Sequence, residues 1–507
     1  MRSTRLFPFA HGWRVLAAVA LYAGAMAAAA LAELQVVEEP TEGGGNRTVY
    51  RMTVTPAAEA TPALRYRLLP AAADMRPGNA ALFYTRAFAE GGVSRAWKLI
   101  TDKYGDDVHG DDVHSAWYSI ETPLADLPID NLRDASARFD TIVQQFVARA
   151  TVRRECDWGH EVHELKGVDI VSTLLPEIQE SRSLSRALML RTRAAVADRD
   201  YQRAIDHLTM NYRLAQNTAW GPFLISGLVG VAQASSGNAV LIELIAAKDS
   251  PNFYWALAEM PRPFIDMAPA VRYEMSLGNR MYPSLDDAER QQHSPEEWAR
   301  LLTRGLVDSS PVFEMGPRDE LQAQLAATAF SLMYYGPAKA RLRASGMKGD
   351  QVEQMPVGQV IAVDAAREYR RLSDEMEKWW YVSLNEARRH SKDAEALLNP
   401  NKFTGGFGQL LASLLLPALS SAREAQTRLD WQLNAIQTVE AIRMHAAEAG
   451  KLPASLDDIS CVPVPKNPIT EKPYEYRLDG DTAIIELPLA DGFPGGMAWR
   501  FEIKLAK

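Results

Sequence analysis

Hydrophobic positions change their period twice along this chain, and the changes divide it. Near the start the period is two. Thr48, Tyr50, Met52 and Val54 alternate with Val49, Arg51 and Thr53, as in a half-buried strand. Pro56 and Pro62 end that run, and Leu64-Arg65-Tyr66-Arg67-Leu68-Leu69 follows before Pro70. Residues 100–135, with Gly105, Gly110, Pro123 and Pro128, read as loop-rich. From about residue 176 the spacing turns helical. Leu184, Leu188, Arg191 and Ala195 share one face, Asp198-Arg199-Asp200 breaks the run, and Tyr201, Ala204, Ile205, Leu208 and Tyr212 continue it in a second helix.

Leu214 to Ile242 contains no charged residue. Gln216, Asn217, Gln233, Ser235, Ser236 and Asn238 interrupt its apolar character, and Gly221-Pro222 divides it. Gly227, Gly230, Ala234 and Gly237 allow close helix approach, so a buried central helix is expected rather than a membrane span. An aromatic, proline-punctuated connection follows, Pro251–Leu257 and Pro261–Asp266, which suits either a ligand-pocket wall or a plug between helical layers. Residues 283–320 read as a polar surface crossing. The 4/3 spacing of Ile361, Ala365, Tyr369, Leu372, Met376, Trp379/Trp380, Leu384 and Ala387 predicts one long amphipathic helix.

The period returns to two near the C-terminus. Pro417 opens a helix with Ala418, Ala422, Ala425, Leu429, Leu433 and Ile436 on one stripe, and Gly450 and Pro453 are its stop signals. Tyr474, Tyr476 and Leu478 share a strand face, Asp479-Gly480 is expected to turn the chain, and Ile484, Ile485 and Leu487 return it. Trp499, Phe501, Ile503 and Leu505 alternate with Arg500, Glu502 and Lys504 in a third strand. That three-stranded antiparallel sheet needs an apolar cover, and the preceding helix is nearest.

The resulting fold class is mainly α: a helical-hairpin body with a short N-terminal β segment and a small C-terminal helix-plus-antiparallel-sheet module. The expected division is 1–32, a signal peptide; 33–175, a mixed strand, loop and helix region; 176–400, a helical domain; and 401–507, the long helix with its sheet. The hairpin over 176–212 resembles one tetratricopeptide unit, with Ala204 and Leu208 at second-helix positions. Leu64–Pro70, Gly78-Asn79-Ala80-Ala81, Cys156-Asp157-Trp158, Asn252–Asp266, Gly450–Leu456 and Tyr474–Gly480 together resemble an uncharacterised family of exported proteins from planctomycete-type bacteria. That resemblance implies an address and an architecture, and no activity. Leu414–Ala425 is similar to the stem of a prepilin helix, and the Pro- and Tyr-rich segment after it to a pseudopilin head. The processing Gly and following Glu of that family are missing here.

Composition fixes the compartment more than the chemistry. Arg2, Arg5 and Arg14 precede the uncharged run Val15–Ala32, which ends Ala30-Leu31-Ala32 before Glu33, a small-x-small cleavage pattern. The run is also long enough to stay as an uncleaved anchor. Either way the body is expected outside the cytoplasm. The 507 residues carry a net charge of −9, and −12 if the three N-terminal arginines are cleaved away. An acidic chain does not track nucleic-acid phosphate. Outside the cytoplasm Cys156 and Cys461 can oxidise, so a bridge and two free thiols both stay open.

Two segments hold metal-binding residue types. The tandem Gly105-Asp106-Asp107-Val108-His109 and Gly110-Asp111-Asp112-Val113-His114 gathers imidazoles and carboxylates, although Gly and Asp also suit a duplicated surface turn. Cys156, His160 and His163 have the spacing of one helical face, without the His-Glu-x-x-His order of zinc proteases. His109, His114, His160 and His163 are therefore the candidates a metal would need, set against ordinary surface roles for all four. Ser345-Gly346-Met347-Lys348 is a chance Ser-x-x-Lys, since the accompanying Lys-Thr-Gly is missing. His207, His293, His390 and His445 read as ordinary core or surface histidines. No catalytic residue, cofactor or metal is assigned. The expected function is a non-enzymatic envelope protein presenting helical surfaces to a protein or polymer partner, with an extracytoplasmic metal-dependent hydrolase and a pilus- or secretion-associated subunit as alternatives.

Overall fold

Both β-rich ends of the chain enter one sheet, and the helices fill the interval. The computed structural model describes residues 34–41, 46–89, 92–105, 116–160, 164, 175–282, 284–286, 288–313, 320–390, 396–398, 406–416, 418–487 and 498–506. Residues 1–32, expected as a signal peptide, the tandem pentapeptide beyond Gly105, Pro417 and His163 lie outside them. Strands β1 (Leu34–Pro40) and β2 (Asn46–Val54) form an antiparallel hairpin with Val36 opposite Tyr50. Strand β3 (Arg76–Asn79) leads into α1 (Ala81–Phe88), α2 (Gly92–Tyr104) and α3 (Ile129–Ala137). Strand β4 (Arg153–Glu155) pairs with β3 in parallel.

The central helices follow the expected pattern closely. In α4 (Pro176–Ala197) the residues Leu184, Leu188, Arg191 and Ala195 are buried, and α5 (Tyr201–Ala219) buries Ala204, Ile205, Leu208 and Tyr212. Asp200 caps α5 by accepting the Arg203 N–H at 3.1 Å. Helix α6 (Leu224–Ala246) is long and apolar enough to span a membrane, yet is mostly buried against α5, α4 and a later helix. Its small residues make this possible. A Cβ on Gly230 would stand 2.6 Å from the Ala215 carbonyl oxygen, so only glycine allows that approach. Arg193 of α4 ties the block to the N-terminal region. It is fully buried, grips Glu243 of α6 through two 2.9 Å bonds, and donates to the carbonyls of Ala116, Ser119 and Thr122. All five guanidinium donor positions are thereby used.

Helices α7 (Ala268–Met281), α8 (Pro295–Phe313), α9 (Glu320–Ala344), α10 (Val357–Glu377) and α11 (Gly406–Leu415) form a second layer. Two expectations change here. The polar stretch 283–320 is not a plain crossing, because α8 occupies half of it. Ser294 and Glu297 bond reciprocally to each other's backbone N–H, a capping box, and Trp298 one turn in is buried. The long helix expected over 361–387 is also two helices. It stops at Glu377, passes through a 3-10 turn at Lys378–Tyr381, and restarts at Leu384, where Ser383 accepts the Glu386 N–H. The break is held by Arg423, which donates to the carbonyls of Trp379 and Val382, and by the Trp379 ring stacked on His390.

Helix α12 (Ala418–Ala449) is the spine, and Gly450 follows it in the left-handed region at φ 70°. Ala422, Ala425, Leu429, Leu433 and Ile436 are buried as expected. After it come β5 (Glu475–Asp479), β6 (Thr482–Leu487) and β7 (Ala498–Leu505), antiparallel in sequence. The turn is Gly480-Asp481, one residue later than expected, because Asp479 already pairs with Thr482 and only Gly480 has positive φ. The three strands do not end the sheet. Strand β2 joins β7 in parallel, giving the order β1-β2-β7-β6-β5. Tyr50, Phe501 and Trp499 then share the inner face, and Trp499 meets Trp431 of α12 at 5.4 Å between ring centroids.

Candidate functional site

Of the four histidines a metal would need, only His160 is among the described residues. Asp157 and Gly159 turn the chain after β4, with the Gly159 N–H donating to Asp157 Oδ1 at 2.9 Å. That turn delivers His160 Nε2 to Glu177 Oε1 of α4 at 3.0 Å, with the imidazole edge-on to Phe223. Cys156 faces inward instead. It is fully buried, and burial pushes its thiol up to about 12, so it is a neutral thiol and a poor metal ligand. Cys156 and Cys461 are both free. Among the described residues no group of three or more His, Cys, Asp or Glu is arranged to hold a metal ion.

The aromatic connection is a seam between layers. Helix α12 satisfies its backbone with three side chains along one face: Gln426 Oε1 accepts the Met267 N–H at 2.8 Å, Asp430 the Phe264 N–H at 2.9 Å, and Glu440 the Phe253 N–H at 2.7 Å. Phe253, Tyr254, Leu257, Phe264 and Ile265 are buried beneath that ladder. Burial raises the Asp430 carboxyl to about 6. Glu440 is held by Arg443, which also donates to the Thr55, Ser250 and Pro251 carbonyls and so fastens β2 to the connection. His207, a buried imidazole in the central block, accepts from Arg191 Nε at 3.2 Å, and burial with that cation beside it lowers its pKa to about 3.

Two surfaces face outward with contrasting character. The outer face of the sheet is an ion-pair ladder. Glu39 binds Arg47 and Arg51, Glu486 binds Arg500 and Arg477, and Glu502 binds Arg51. Their stems cover Val49 and Ile484, leaving a shallow concavity of about 570 Å³ beside Gln35, Thr53 and Lys504. These charges already satisfy one another, so the face offers little to a ligand.

Helix α9 is the opposite case. Leu321, Leu325, Leu332 and Met333 are 67%, 63%, 81% and 65% exposed. The 18 residues from Leu321 to Ala338 contain no charge. The inner face packs normally: Ala323, Ala327, Ala338 and Leu342 are buried, Phe330 meets Phe407 of α11 at 5.0 Å, and Arg341 pairs with Asp364 of α10 at 2.6 Å. The outer face therefore projects a leucine stripe from an otherwise well-anchored helix, a patch of the kind that marks interaction sites. Sequence reading missed it because both faces of α9 are apolar, so no amphipathic period stands out, although the uncharged run itself was visible. Compared with family models, curated proteins and solved structures, the chain matches none of them.

Proposed function

We propose that this chain is an exported, non-enzymatic envelope protein that binds a protein or polymer partner through the outer face of α9. The observation that carries this reading is the exposed stripe Leu321, Leu325, Leu332 and Met333 on a helix whose other face is fixed to α10 and α11. Contiguous apolar surface on a folded acidic chain costs solubility, and burial against a partner recovers it. Export rests on Arg2, Arg5, the run Val15–Ala32 and the Ala30-Leu31-Ala32 pattern, and on the resemblance to the planctomycete-type exported family. The α4–α5 hairpin is read as a single tetratricopeptide-type unit used for packing. The prepilin-like stem of α12 has its stripe from Ala422 to Ile436 buried inside this chain, so we read it as a structural element rather than a filament surface.

A photoreactive residue replacing Leu332 should cross-link a macromolecule in intact cells, while one replacing Leu82, an isolated exposed leucine, should not. Absence of any adduct at 332 removes the binding reading. The same purified material should begin at Glu33; an intact Met1 would make the N-terminal segment an anchor.

A further inference from the structure

We infer that the partner of α9 is a second copy of this chain, with the two α9 helices antiparallel about a two-fold axis passing between Thr328 and Ala329. This deepens the binding reading above and rests on it. The stripe positions 321, 325, 328, 332 and 336 follow steps of four, three, four and four, so they form a nearly straight seam about 22 Å long. Reflecting that seam about its midpoint sets Leu325 against the partner subunit's Leu332 and Leu321 against the partner subunit's Gly336. Each large side chain at the ends meets a glycine, and the centre is a cluster of four leucines. A surface that matches itself in this way is what an isologous interface requires. The antiparallel arrangement also opposes the helix dipoles.

Charge favours the same occupant. The chain carries −9, so most faces of one copy repel those of another, but residues 321–338 bring no charge to the contact. A lipid surface is a poorer match. Helices that lie in a membrane interface flank their apolar face with Lys and Arg, whereas this stripe is flanked by Gln322, Gln324 and Ser331. The four large side chains supply roughly 300 Å² of apolar area per copy. That is below the roughly 800 Å² per partner of a standard interface, so the association expected is weak.

The test uses the purified full chain. Light scattering should give twice the chain mass at about 100 µM, and Leu325→Glu should weaken association at least about tenfold. Leu82→Glu should not change it, and at a dilution where both are monomeric the circular-dichroism melting curve of Leu325→Glu should match the wild type. In a Cys461→Ser background, which removes the half-buried native thiol, Thr328→Cys should form a disulfide-linked dimer on mild oxidation. A monomer throughout the concentration range, a dimer indifferent to Leu325→Glu, or no cross-link at Thr328→Cys would each overturn the inference. A monomer that binds neutral phospholipid vesicles through Leu325 would assign the face to lipid instead. A monomer that still cross-links another macromolecule at 332 would sink self-pairing and keep the binding reading. A monomer with no adduct at 332 would sink both.

Discussion

Helices α6 and α9 are built from two of the chain's uncharged stretches, Leu214–Ile242 and Leu321–Ala338, and they meet opposite fates. In α6 the apolar surface is interleaved with small residues and with amides that find partners inside the chain. Gly230 and Gly237 admit α5, Gln233 donates to Ser181 at 3.1 Å, and Asn238 accepts from Tyr212 and donates to Gln432. The outer face of α9 has leucines where α6 has glycines, and among the described residues they stay exposed. An uncharged run therefore says that a helix wants burial. The small residues and polar anchors along it say whether its own chain provides that burial.

The largest expected effect lies in the buried block. Arg193→Met strands Glu243 without its cation and should cost about 3–5 kcal/mol in chemical denaturation. The pH dependence of the same block has a definite sign. Below about 6.5 the unfolded His207 imidazole takes up a proton that the folded one refuses until about pH 3. Stability should thus fall as pH falls through that window, by about 1.4 kcal/mol per unit from this group. Asp430 works in the opposite direction, since its raised pKa makes the folded state the better proton binder between about 3.8 and 6. The informative quantity is consequently the difference between wild type and His207→Gln, which should narrow steadily from pH 6.5 to pH 4.

Gly230→Ala should cost about 1–3 kcal/mol, because the added methyl collides with backbone that cannot yield. Gly336→Ala on α9 meets nothing within 4 Å and should stabilise the helix by up to about 1 kcal/mol. If both glycines responded alike, the contrast between the helices would lose its basis. Leu332→Glu should be the smallest effect, within about 0.5 kcal/mol of wild type, as befits a side chain 81% exposed. A large loss there would mean that Leu332 packs within its own chain.

How much of this was legible in the residues depends on where the information lies. Local periods fixed α4, α5 and the strand Trp499–Leu505, because each buries one face and the alternation survives in the sequence. The glycines of α6 announced close packing for the same reason. The parallel pairing of β2 with β7 was not readable, since the pairing partners are some 450 residues apart and parallel strands leave no turn signal. Strand β1 was missed because Glu38, Glu39 and Pro40 disguise a short strand, in which Glu39 joins the outer ladder and Glu38 accepts from Thr48 on the opposite face. The break after Glu377 was hidden because Trp379 and Trp380 keep the helical spacing, while the group that stabilises the interruption, Arg423, sits on another helix. His160 was visible as a polar candidate, but its partner Glu177 comes from α4. Nothing in the spacing around Cys156 indicated that this thiol turns inward.

Met333 offers the most direct measurement of the central claim, that the α9 face is a seam between copies. It borders the stripe at 65% exposure, whereas Met189 in α4 is buried at 1% and serves as an internal reference. Mild peroxide oxidises accessible methionine to the sulfoxide, and site-resolved mass spectrometry reads each residue separately. The rate at Met333 should fall as protein concentration rises and return to its dilute value in Leu325→Glu, while Met189 stays slow throughout. A rate at Met333 that is fast and independent of concentration would contradict the account.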